Sequence, residues 1–273
     1  MPRTTIVIPC FNEAERLPAR RLIEFAAQQP QISFMLVNDG SADQTGEILD
    51  GLARRYPTRF RALHLEQNSG KAEAVRQGLL AAADGGDDYL GYWDADMATP
   101  LDQIPRFADV LDRRAAAQLV MGVRLPLLGC RIERQASRCV LGRAFAAAAG
   151  LALGQAVRDT QCGAKLFRSG TALDQVLRDP FLSRWIFDVE ILARLRLVLG
   201  DCRQAVYELP IEEWRDVGGS KVRPRDFVRA ARELVQIAWR YRVARSWQPD
   251  ERLAAEQPAT IPLDAGRRAR RAA

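Results

Sequence analysis

The strongest restriction on the fold is an alternation of short apolar segments and helix-like segments over residues 1–122. The apolar segments, rich in β-branched and aromatic residues, are TTIVIP, ISFMLVND, RFRALHLE, DYLGYWD and AQLVMG. Segments with apolar residues at helical spacing lie between them, and the first of these helices is predicted over residues 13–28. Strands that alternate with helices predict an α/β fold, with a mostly parallel sheet and helices on both faces.

Polar residues follow each of these apolar segments. They are Asn12 and Glu13 after Pro9, then Asn38, Asp39 and Gly40, then Asn68, Gly70 and Lys71, then Asp94 and Asp96, and finally Gly122 and Arg124. In a parallel sheet the carboxyl ends of the strands meet at one edge, and ligands of α/β proteins bind there. The sequence therefore predicts one polar cleft built from several strand ends.

Two carboxylates, Asp94 and Asp96, come directly after the apolar segment YLGYW. Residues i and i+2 of a strand lie on the same side, so both carboxylates can face one point. Two like charges held so close are unfavourable unless a cation sits between them, and oxygen ligands suit Mg²⁺ or Mn²⁺. The same pattern is also typical of a turn or a helix N-cap. Asp94 and Asp96 are the candidate metal ligands.

Two other segments, VNDGSADQT and NSGKAEA, have residues suited to binding a ligand at a turn. Asp39 ends a strand, where its carboxylate can accept a hydrogen bond from a base N–H or a ribose hydroxyl. Lys71 lies at a predicted helix start, where phosphates bind readily. NSGKAEA is not a P-loop, because Leu65 replaces the first glycine of that motif and Ala72 replaces the Ser or Thr. A plain strand-to-helix turn and a solvated lysine are the structural alternatives.

Composition excludes several kinds of site. The chain has 273 residues and five cysteines without a CxxC pair, which indicates reduced thiols rather than disulfides or a zinc site. A single histidine, His64, argues against histidine metal sites. The net charge of +6 favours phosphorylated small molecules or an anionic membrane surface as partners. No nucleic-acid-binding motif accompanies that charge, and no G-x-G-x-x-G follows the first strand, which disfavours a dinucleotide-dependent oxidoreductase.

The second half of the chain begins with a predicted basic helix. The segment CRIERQASRCVLGRAFAAAAG, residues 130–150, has Arg131, Arg134 and Arg138 at helical spacing. A basic amphipathic helix can lie on a membrane surface, and it can equally be the solvated face of a packed helix. Further along, WIFDVEILARLRLVLG predicts a helix, CRQAVYELPIEEW a strand, and residues 227–241 a helix flanked by arginines.

The segments IVIPCFNEAERL, LVNDGSADQT, NSGKAEAVRQGL and YWDADMATP, in this order and spacing, resemble the family-2 glycosyltransferases. GVR at Gly122, DTQCGAKLF at Asp159, RWIFDVEIL at Arg184 and EEWRDVGGSKV at Glu212 resemble the polyprenyl-phosphate branch of that family, above all the dolichyl-phosphate β-glucosyltransferases and, near them, the mannosyltransferases. The resemblance covers about residues 4–243. It implies the GT-A nucleotide-diphospho-sugar transferase fold.

The resemblance also implies a role for each matching residue. These residues are Pro9, Asn12 and Glu13 in the nucleotide pocket, Asp39 at the base with Lys71 near it, Asp94 and Ala95 at the ribose and diphosphate, Asp96 with Asp94 at Mg²⁺ or Mn²⁺, Arg124 and Lys221 at phosphates, and Asp188 and Glu190 near the sugar and acceptor. Phe181 stands where processive synthases of the superfamily carry the Gln of Q-x-x-R-W, which argues against polymer synthesis.

The activity implied is transfer of glucose from UDP-glucose to a polyprenyl or dolichyl phosphate, with inversion to a β-linked product. A phosphate monoester is largely dianionic at neutral pH and needs no strong base, so cations such as Arg124, Lys221 and Arg131 would receive it. A hydroxyl acceptor would need a general base, and Asp188 or Glu190 would be the candidate for that base. The alternatives are a GDP-mannose-dependent mannosyltransferase, another UDP-sugar donor (N-acetylhexosamine or glucuronate), a transferase acting on a soluble hydroxyl, and a catalytically silent nucleotide-sugar-binding protein.

We expect one transferase domain over residues 1–245, with a nucleotide-binding half (1–122) and an acceptor-binding half (123–245). A disordered basic tail, 246–273, is predicted after it from its polar composition. The apolar stretch AFAAAAGLALG is about half the length of a membrane span, and the N-terminus lacks a signal peptide. The expected location is therefore cytoplasmic and peripheral on the inner face of the cell membrane.

Overall fold

The computed structural model describes residues 2–133, 136–200, 202–215, 224–243 and 247–249, without the side chains of residues 136–139 and 224–228. Its strands are β1 (Thr4–Cys10), β2 (Ile32–Asp39), β3 (Phe60–Leu65), β4 (Tyr89–Trp93), β5 (Leu119–Val123), β6 (Arg131–Glu133), β7 (Ala164–Arg168), β8 (Val206–Pro210) and β9 (Glu213–Arg215). Its helices are α1 (Ala19–Gln28), α2 (Thr45–Arg55), α3 (Lys71–Ala83), α4 (Gln103–Arg113), α5 (Ala136–Leu153), α6 (Thr171–Leu177), α7 (Phe187–Leu199) and α8 (Pro224–Ala238), which continues into a π-helical turn (Trp239–Val243).

Seven of the described strands form one sheet in the order β3-β2-β1-β4-β7-β5-β8. Strands β1 to β4 are mutually parallel, and β5 pairs in parallel with β8. Strand β7 runs antiparallel between β4 and β5. The predicted α/β fold with a mostly parallel sheet is confirmed, and the five predicted strands of the first half correspond to β1–β5. The carboxyl ends of these strands therefore lie at the same edge of the sheet.

Helices cover both faces of this sheet, and each face has its own apolar core. Val7 of β1 belongs to the core beneath α3, α6 and α7. Its neighbours Ile6 and Ile8 belong to the core beneath α1, α2 and α4. Successive strand residues point to opposite faces, so a strand buried on both faces is apolar throughout, as TTIVIP is. The two cores hold the strand ends in place.

The first helix begins later than predicted. The sequence predicts a helix from Glu13, whereas α1 begins at Ala19. Residues 13–17 form a separate turn in which the Leu17 N–H donates to the Glu13 carbonyl oxygen at 2.8 Å. Pro18 follows, and a proline disfavours helical geometry in the residue before it, which interrupts the helical pattern at this point.

The predicted helix over residues 130–150 is wrong at its beginning. Residues 131–133 form strand β6, which pairs in parallel with β9 and sets Ile132 opposite Trp214. The Arg131 N–H donates to the Glu212 carbonyl oxygen at 2.6 Å. This pairing is between residues about 80 apart in the chain, so local periodicity does not reveal it.

Among its described side chains, the exposed side of α5 carries an apolar stripe with one basic residue, Arg143, beside it. Val140, Ala144, Ala147 and Leu151 are exposed, and their spacing places them along one stripe of the helix. The predicted basic positions 134 and 138 lie outside the described side chains. Within the described part of the chain, no helix combines the length and apolar character needed to cross a bilayer.

Trp247, the second residue of the tail predicted to be disordered from residue 246, packs on the domain. Trp247 is 3% exposed, and its indole N–H donates to Asp179 at 2.9 Å. The guanidinium of Arg194 lies 5.7 Å from the centre of its ring. The polar composition of this segment did not predict that Trp247 packs on the domain. Residue 246 and residues 250–273 of the predicted tail lie outside the described residues.

We predict that Trp247→Ala lowers the free energy of unfolding by about 3 kcal/mol, because truncation of a buried tryptophan leaves a cavity. Trp239, which is 62% exposed, provides a matched control. Trp239→Ala should change the free energy by less than about 0.5 kcal/mol. Urea denaturation followed by circular dichroism measures both, and equal effects of the two substitutions would contradict the packing of Trp247.

Candidate active site

The end of β4 forms a tight turn that carries both predicted metal ligands. The backbone N–H of Asp94 donates to the Gly163 carbonyl oxygen at 3.0 Å. Asp96 Oδ1 accepts a hydrogen bond from the Ala98 N–H at 3.0 Å. Met97 has a φ of 51°, a left-handed conformation that is rare for a residue with a side chain. Such strain is found at binding sites, where the surrounding structure holds it in place.

Lys71, at the first position of α3, forms an ion pair with this turn. Its Nζ lies 2.5 Å from Asp94 Oδ1, and both side chains are 34% exposed. Burial by itself lowers the pKa of Lys71, but the charges of Asp94, Asp188 and Asp96 outweigh burial and raise it. For Asp96, burial and then the charge of Asp94 raise the pKa. These carboxylates create a negative potential that a further cation would relieve.

Glycine is required at position 163 because of Asp94. A Cβ atom on Gly163 would lie 1.8 Å from Asp94 Oδ2 and 2.1 Å from its Cγ. No side chain fits at such a distance, so the backbone of Gly163 forms a wall against which the carboxylate rests. The position of Asp94 thus depends on the loop that precedes β7.

Asp39, at the end of β2, holds the loop before α3. Its Oδ1 accepts from the Ser69 N–H at 2.7 Å, and its Oδ2 accepts from the Gly70 N–H at 2.9 Å. Burial raises the pKa of Asp39, and the two N–H groups partly oppose this. Gly40 has a φ of 64°, and a Cβ there would lie 2.5 Å from the Asn68 backbone nitrogen. The carboxylate oxygens retain lone pairs for a further donor.

Arg184 covers the same loop from the other side. Its Nη2 donates to the Asn68 carbonyl oxygen at 3.1 Å and to the Asn68 side chain at 2.9 Å. The carbonyl oxygen of Arg184 accepts from the Ala72 N–H at 3.3 Å. Sequence reasoning quoted this arginine in a motif and gave it no role. The feature of the sequence that could have identified Arg184 is its position just before the apolar helix α7.

The loops after β1 and β2 are joined by side-chain hydrogen bonds. The Asn12 N–H donates to Ser41 Oγ at 3.0 Å, and Asn12 Oδ1 accepts from the Ala42 N–H at 2.9 Å. The Glu13 N–H donates to Thr45 Oγ1 at 2.9 Å. Asn12 has a φ of 52°, so a second strained residue lies at this edge of the sheet.

Two of the residues implied for the nucleotide pocket present little side chain. Pro9 is half-buried at the end of β1, where it pairs with Val37. Ala95 is buried between the two carboxylates of the turn. Contacts of these residues with a ligand would therefore be mainly through the backbone.

Arg124, after β5, is fixed by Asp159. Its Nε donates to Asp159 Oδ2 at 2.6 Å and its Nη2 to Oδ1 at 2.8 Å, a bidentate pair. The guanidinium carbon also lies 5.2 Å from the centre of the Trp214 ring. Burial lowers the pKa of Arg124, but Asp159 outweighs burial and raises it. Nη1 takes no part in the pair with Asp159.

The two acids of α7 have different surroundings. Asp188 is buried, with its Oδ1 2.6 Å from Lys165 Nζ and accepting from the Tyr92 hydroxyl. Its charge also acts on Lys71, so it lies close behind the cleft. Glu190 is fully buried and belongs to a different network.

The carboxylate of Glu190 lies inside this buried network. It pairs with Arg194 at 2.8 Å and accepts from the Tyr241 hydroxyl at 2.5 Å and from the Leu182 N–H at 2.8 Å. These contacts tie α7 to the loop before it and to the π-helical turn. The structure does not bring Glu190 to the cleft, and Lys221 lies outside the described residues.

The edge of the sheet thus brings together residues from several strand ends. Loop hydrogen bonds and one ion pair link those that belong to the first half of the chain, which are Asn12, Glu13, Asp39, Lys71, Asp94 and Asp96. In the second half of the chain, the sequence did not indicate the roles of Asp159, Gly163 and Lys165 in holding the site. All three lie in the quoted segment DTQCGAKLF, whose density of polar residues and glycine before a short strand is the available signal.

Comparison with known proteins identifies the family of the chain. The family described as Glycosyl transferase family 2 matches residues 5–170. A dolichyl-phosphate beta-glucosyltransferase of Trichomonas vaginalis is 32% identical over 252 residues, covering 88% of this chain and 72% of the relative. One of Dictyostelium discoideum is 29% identical over 255 residues, covering 87% and 74%.

A solved structure has the same fold at lower identity. Glucosyl-3-phosphoglycerate synthase of Mycobacterium tuberculosis, in complex with Mn²⁺ and UDP-glucose, superposes with a TM-score of 0.62 at 18% identity. The match covers 91% of this chain and 80% of that one. The GT-A fold expected from the sequence is confirmed. By its family match and by its relatives, the chain belongs to glycosyl transferase family 2.

Proposed function

We propose that the protein transfers glucose from UDP-glucose to a dolichyl or polyprenyl phosphate and forms a β-linked lipid-phosphate sugar. The observation that carries this proposal is the pairing of Lys71 with Asp94 beside Asp96, at the sheet edge that also carries Asp39. A cation and two carboxylates suit a metal-bound diphosphate, and a carboxylate one strand further along suits the attached nucleoside. The relatives named dolichyl-phosphate beta-glucosyltransferases support the sugar and the acceptor.

The carboxylates of the turn fit a divalent metal ion. In the described part of the chain, no cluster of three or more His, Cys, Asp or Glu side chains could hold an ion alone. Mg²⁺ commonly uses one or two protein carboxylates and completes its shell with phosphate oxygens and water. Asp94 and Asp96 would hold the ion. When bound, it would supply positive charge that stabilises the leaving diphosphate.

The acceptor determines what the remaining residues must do. A lipid monophosphate has a second pKa of about 6, so at neutral pH its oxygen is already a nucleophile. That oxygen forms a bond to the anomeric carbon as the bond from this carbon to the diphosphate oxygen breaks, and UDP leaves. A single displacement inverts the α-linked donor to a β-linked product. No protein base is required, which fits the buried and paired state of Asp188 and Glu190.

Cations would hold the acceptor phosphate in line for this attack. Arg124 is held after β5 by the contacts of its Nε and Nη2 with Asp159, and its Nη1 would donate to the acceptor phosphate. Arg131 is exposed on β6. Lys221 keeps the role implied by resemblance. Two anions approach each other in this reaction, and fixed cations reduce their repulsion without reorganising.

A lipid acceptor requires access to a membrane surface, and the protein has a suitable apolar face. The interfacial face consists of the exposed stripe of α5 together with Val235, Trp239 and Val243 of α8 and its π-helical turn. The Arg242 guanidinium donates to the Leu151 carbonyl oxygen, which joins the two stripes. Apolar residues beside arginines suit the headgroup region of an anionic bilayer.

We place this attachment on the cytoplasmic face of the cell membrane. The described cysteines Cys10, Cys130, Cys162 and Cys202 are free thiols, which suits a reducing compartment. The attachment proposed is peripheral, through the interfacial face.

The proposed reaction is tested by incubating the protein with Mn²⁺, short polyprenyl phosphate in detergent, and labelled UDP-glucose, GDP-mannose, UDP-N-acetylglucosamine or UDP-glucuronate. Label should enter the organic phase from UDP-glucose, and chelation or Asp96→Ala should abolish it. Asp109→Ala, which removes a surface acid paired with Arg113, is the control and should keep full activity. Label that enters from another donor would contradict glucose as the transferred sugar. Release of UDP without labelled lipid would contradict a lipid phosphate as the acceptor.

The wall at Gly163 yields a second prediction. Gly163→Ala should displace the Asp94 carboxylate and lower kcat/KM by about 100-fold, as a small misplacement of a catalytic group does. Gly51→Ala is the matched control, because a Cβ there meets nothing within 4 Å. Thermal melting should show that both variants are folded. Full activity in the Gly163 variant would contradict the dependence of Asp94 on the Gly163 backbone.

The interfacial face is tested by vesicle flotation. Trp239→Glu and Leu151→Glu should abolish binding to vesicles of phosphatidylcholine and phosphatidylserine, because a buried carboxylate opposes insertion and repels anionic lipid. Ala27→Glu, at an exposed position of α1, should leave binding unchanged. All variants should keep activity on the short acceptor in detergent. Binding by the Trp239 variant equal to that of the wild type would contradict the assignment.

A further inference from the structure

Lys165, the second residue of β7, is a fully buried cation directly behind the cleft. Its Nζ donates to the Thr160 carbonyl oxygen at 3.0 Å and to the Cys162 carbonyl oxygen at 2.9 Å. It also lies 2.6 Å from Asp188 Oδ1. An ammonium group has three N–H donors, and these three acceptors account for all of them. The charge is therefore fully compensated at a position where an unpaired ammonium would be very unfavourable.

Tyr92 extends this network to the strand that carries Asp94. Tyr92 lies opposite Lys165 in the β4–β7 pair, and Asp94 follows it by two residues. The Tyr92 hydroxyl donates to Asp188, and Lys165 Nζ lies 5.4 Å from the centre of the Tyr92 ring. Lys165, Asp188 and Tyr92 thus form one buried unit that spans β4, β7 and α7.

The loop held by this unit contacts both charged parts of the cleft. At one end, the Asp159 carboxylate accepts two hydrogen bonds from the Arg124 guanidinium. At the other end, the Gly163 carbonyl oxygen accepts from the Asp94 N–H at 3.0 Å, and its backbone forms the wall against the Asp94 carboxylate. Between the two ends, the carbonyl oxygens of Thr160 and Cys162 point to the ammonium of Lys165.

We propose that Lys165 is a positioning residue, which fixes the loop of residues 159–163 so that Asp94 faces the metal–diphosphate. Asp188 compensates the charge of Lys165 and does not act as a base. A buried ion pair is weak evidence for a stabilising role, because its replacement by apolar residues of similar size is often neutral or stabilising. Its place behind the two proposed metal ligands fits a role in orienting them. This inference rests on the proposed function, which supplies the ligand of Asp94.

The inference is tested by calorimetric titration of UDP into the protein, once with Mn²⁺ and once with EDTA. The ratio of the two Kd values is the gain due to metal. Lys165→Met should reduce this gain by about tenfold or more, as loss of a residue behind a metal ligand does. Its Kd for UDP in EDTA should stay unchanged, because Asp39 and the loop of residues 68–70 remain in place.

Arg76 provides a matched control. It is a buried cation on α3 that pairs with Glu73 and donates to the Leu177 carbonyl oxygen at 3.0 Å, away from β4 and β7. Arg76→Met should lower the melting temperature without changing the gain due to metal. A structural role alone would make Lys165→Met behave in the same way, and that result would overturn the inference.

If Lys165→Met does not fold, Asp188→Asn provides a second variant in which the gain due to metal can be measured. The asparagine is isosteric and keeps an acceptor for Lys165, but it removes the compensating charge. The gain due to metal should fall by several-fold, and an unchanged gain in the folded variant would overturn the inference. A wild-type protein that binds UDP no more tightly with Mn²⁺ would overturn the proposed metal site as well, which separates the two failures.

Discussion

The carboxylate of Asp94 is held from two sides, and the arrangement of the cleft follows from this. Lys71 Nζ lies 2.5 Å from it on one side, and the backbone of Gly163 closes the other. Lys71 is placed by the start of α3, whose preceding loop is fixed by Asp39. Gly163 is placed by β7, which comes from the second half of the chain. One side chain thus joins elements distant in sequence.

The antiparallel strand β7 explains how the two halves share a site. It lies between β4 and β5, so the loop before it reaches the carboxyl ends of both. From that loop Asp159 orients Arg124, and Gly163 orients Asp94. The proposed donor and acceptor sites are therefore set by one segment of chain, and Lys165 fixes that segment from beneath.

The sequence predicts those parts of the structure that depend on neighbouring residues. The strands up to Val123 and the polar strand ends follow from periodicity, because a strand buried on both faces must be apolar and its end must face solvent. The insertion of β7, the β6–β9 pair and the burial of Trp247 depend on contacts between distant residues. Glu190 shows the same limit, because its place in a helix is evident from sequence and its buried partner Tyr241 is not.

We propose that Asp94 and Asp96 hold a metal ion that binds the donor diphosphate. The most direct test is a crystal structure of the protein soaked with Mn²⁺ and UDP, with anomalous data collected at the manganese edge. We expect an anomalous peak in contact with the Asp94 or Asp96 carboxylate and with the diphosphate of UDP. UDP bound at this edge without manganese beside these carboxylates, in crystals of active protein, would contradict it.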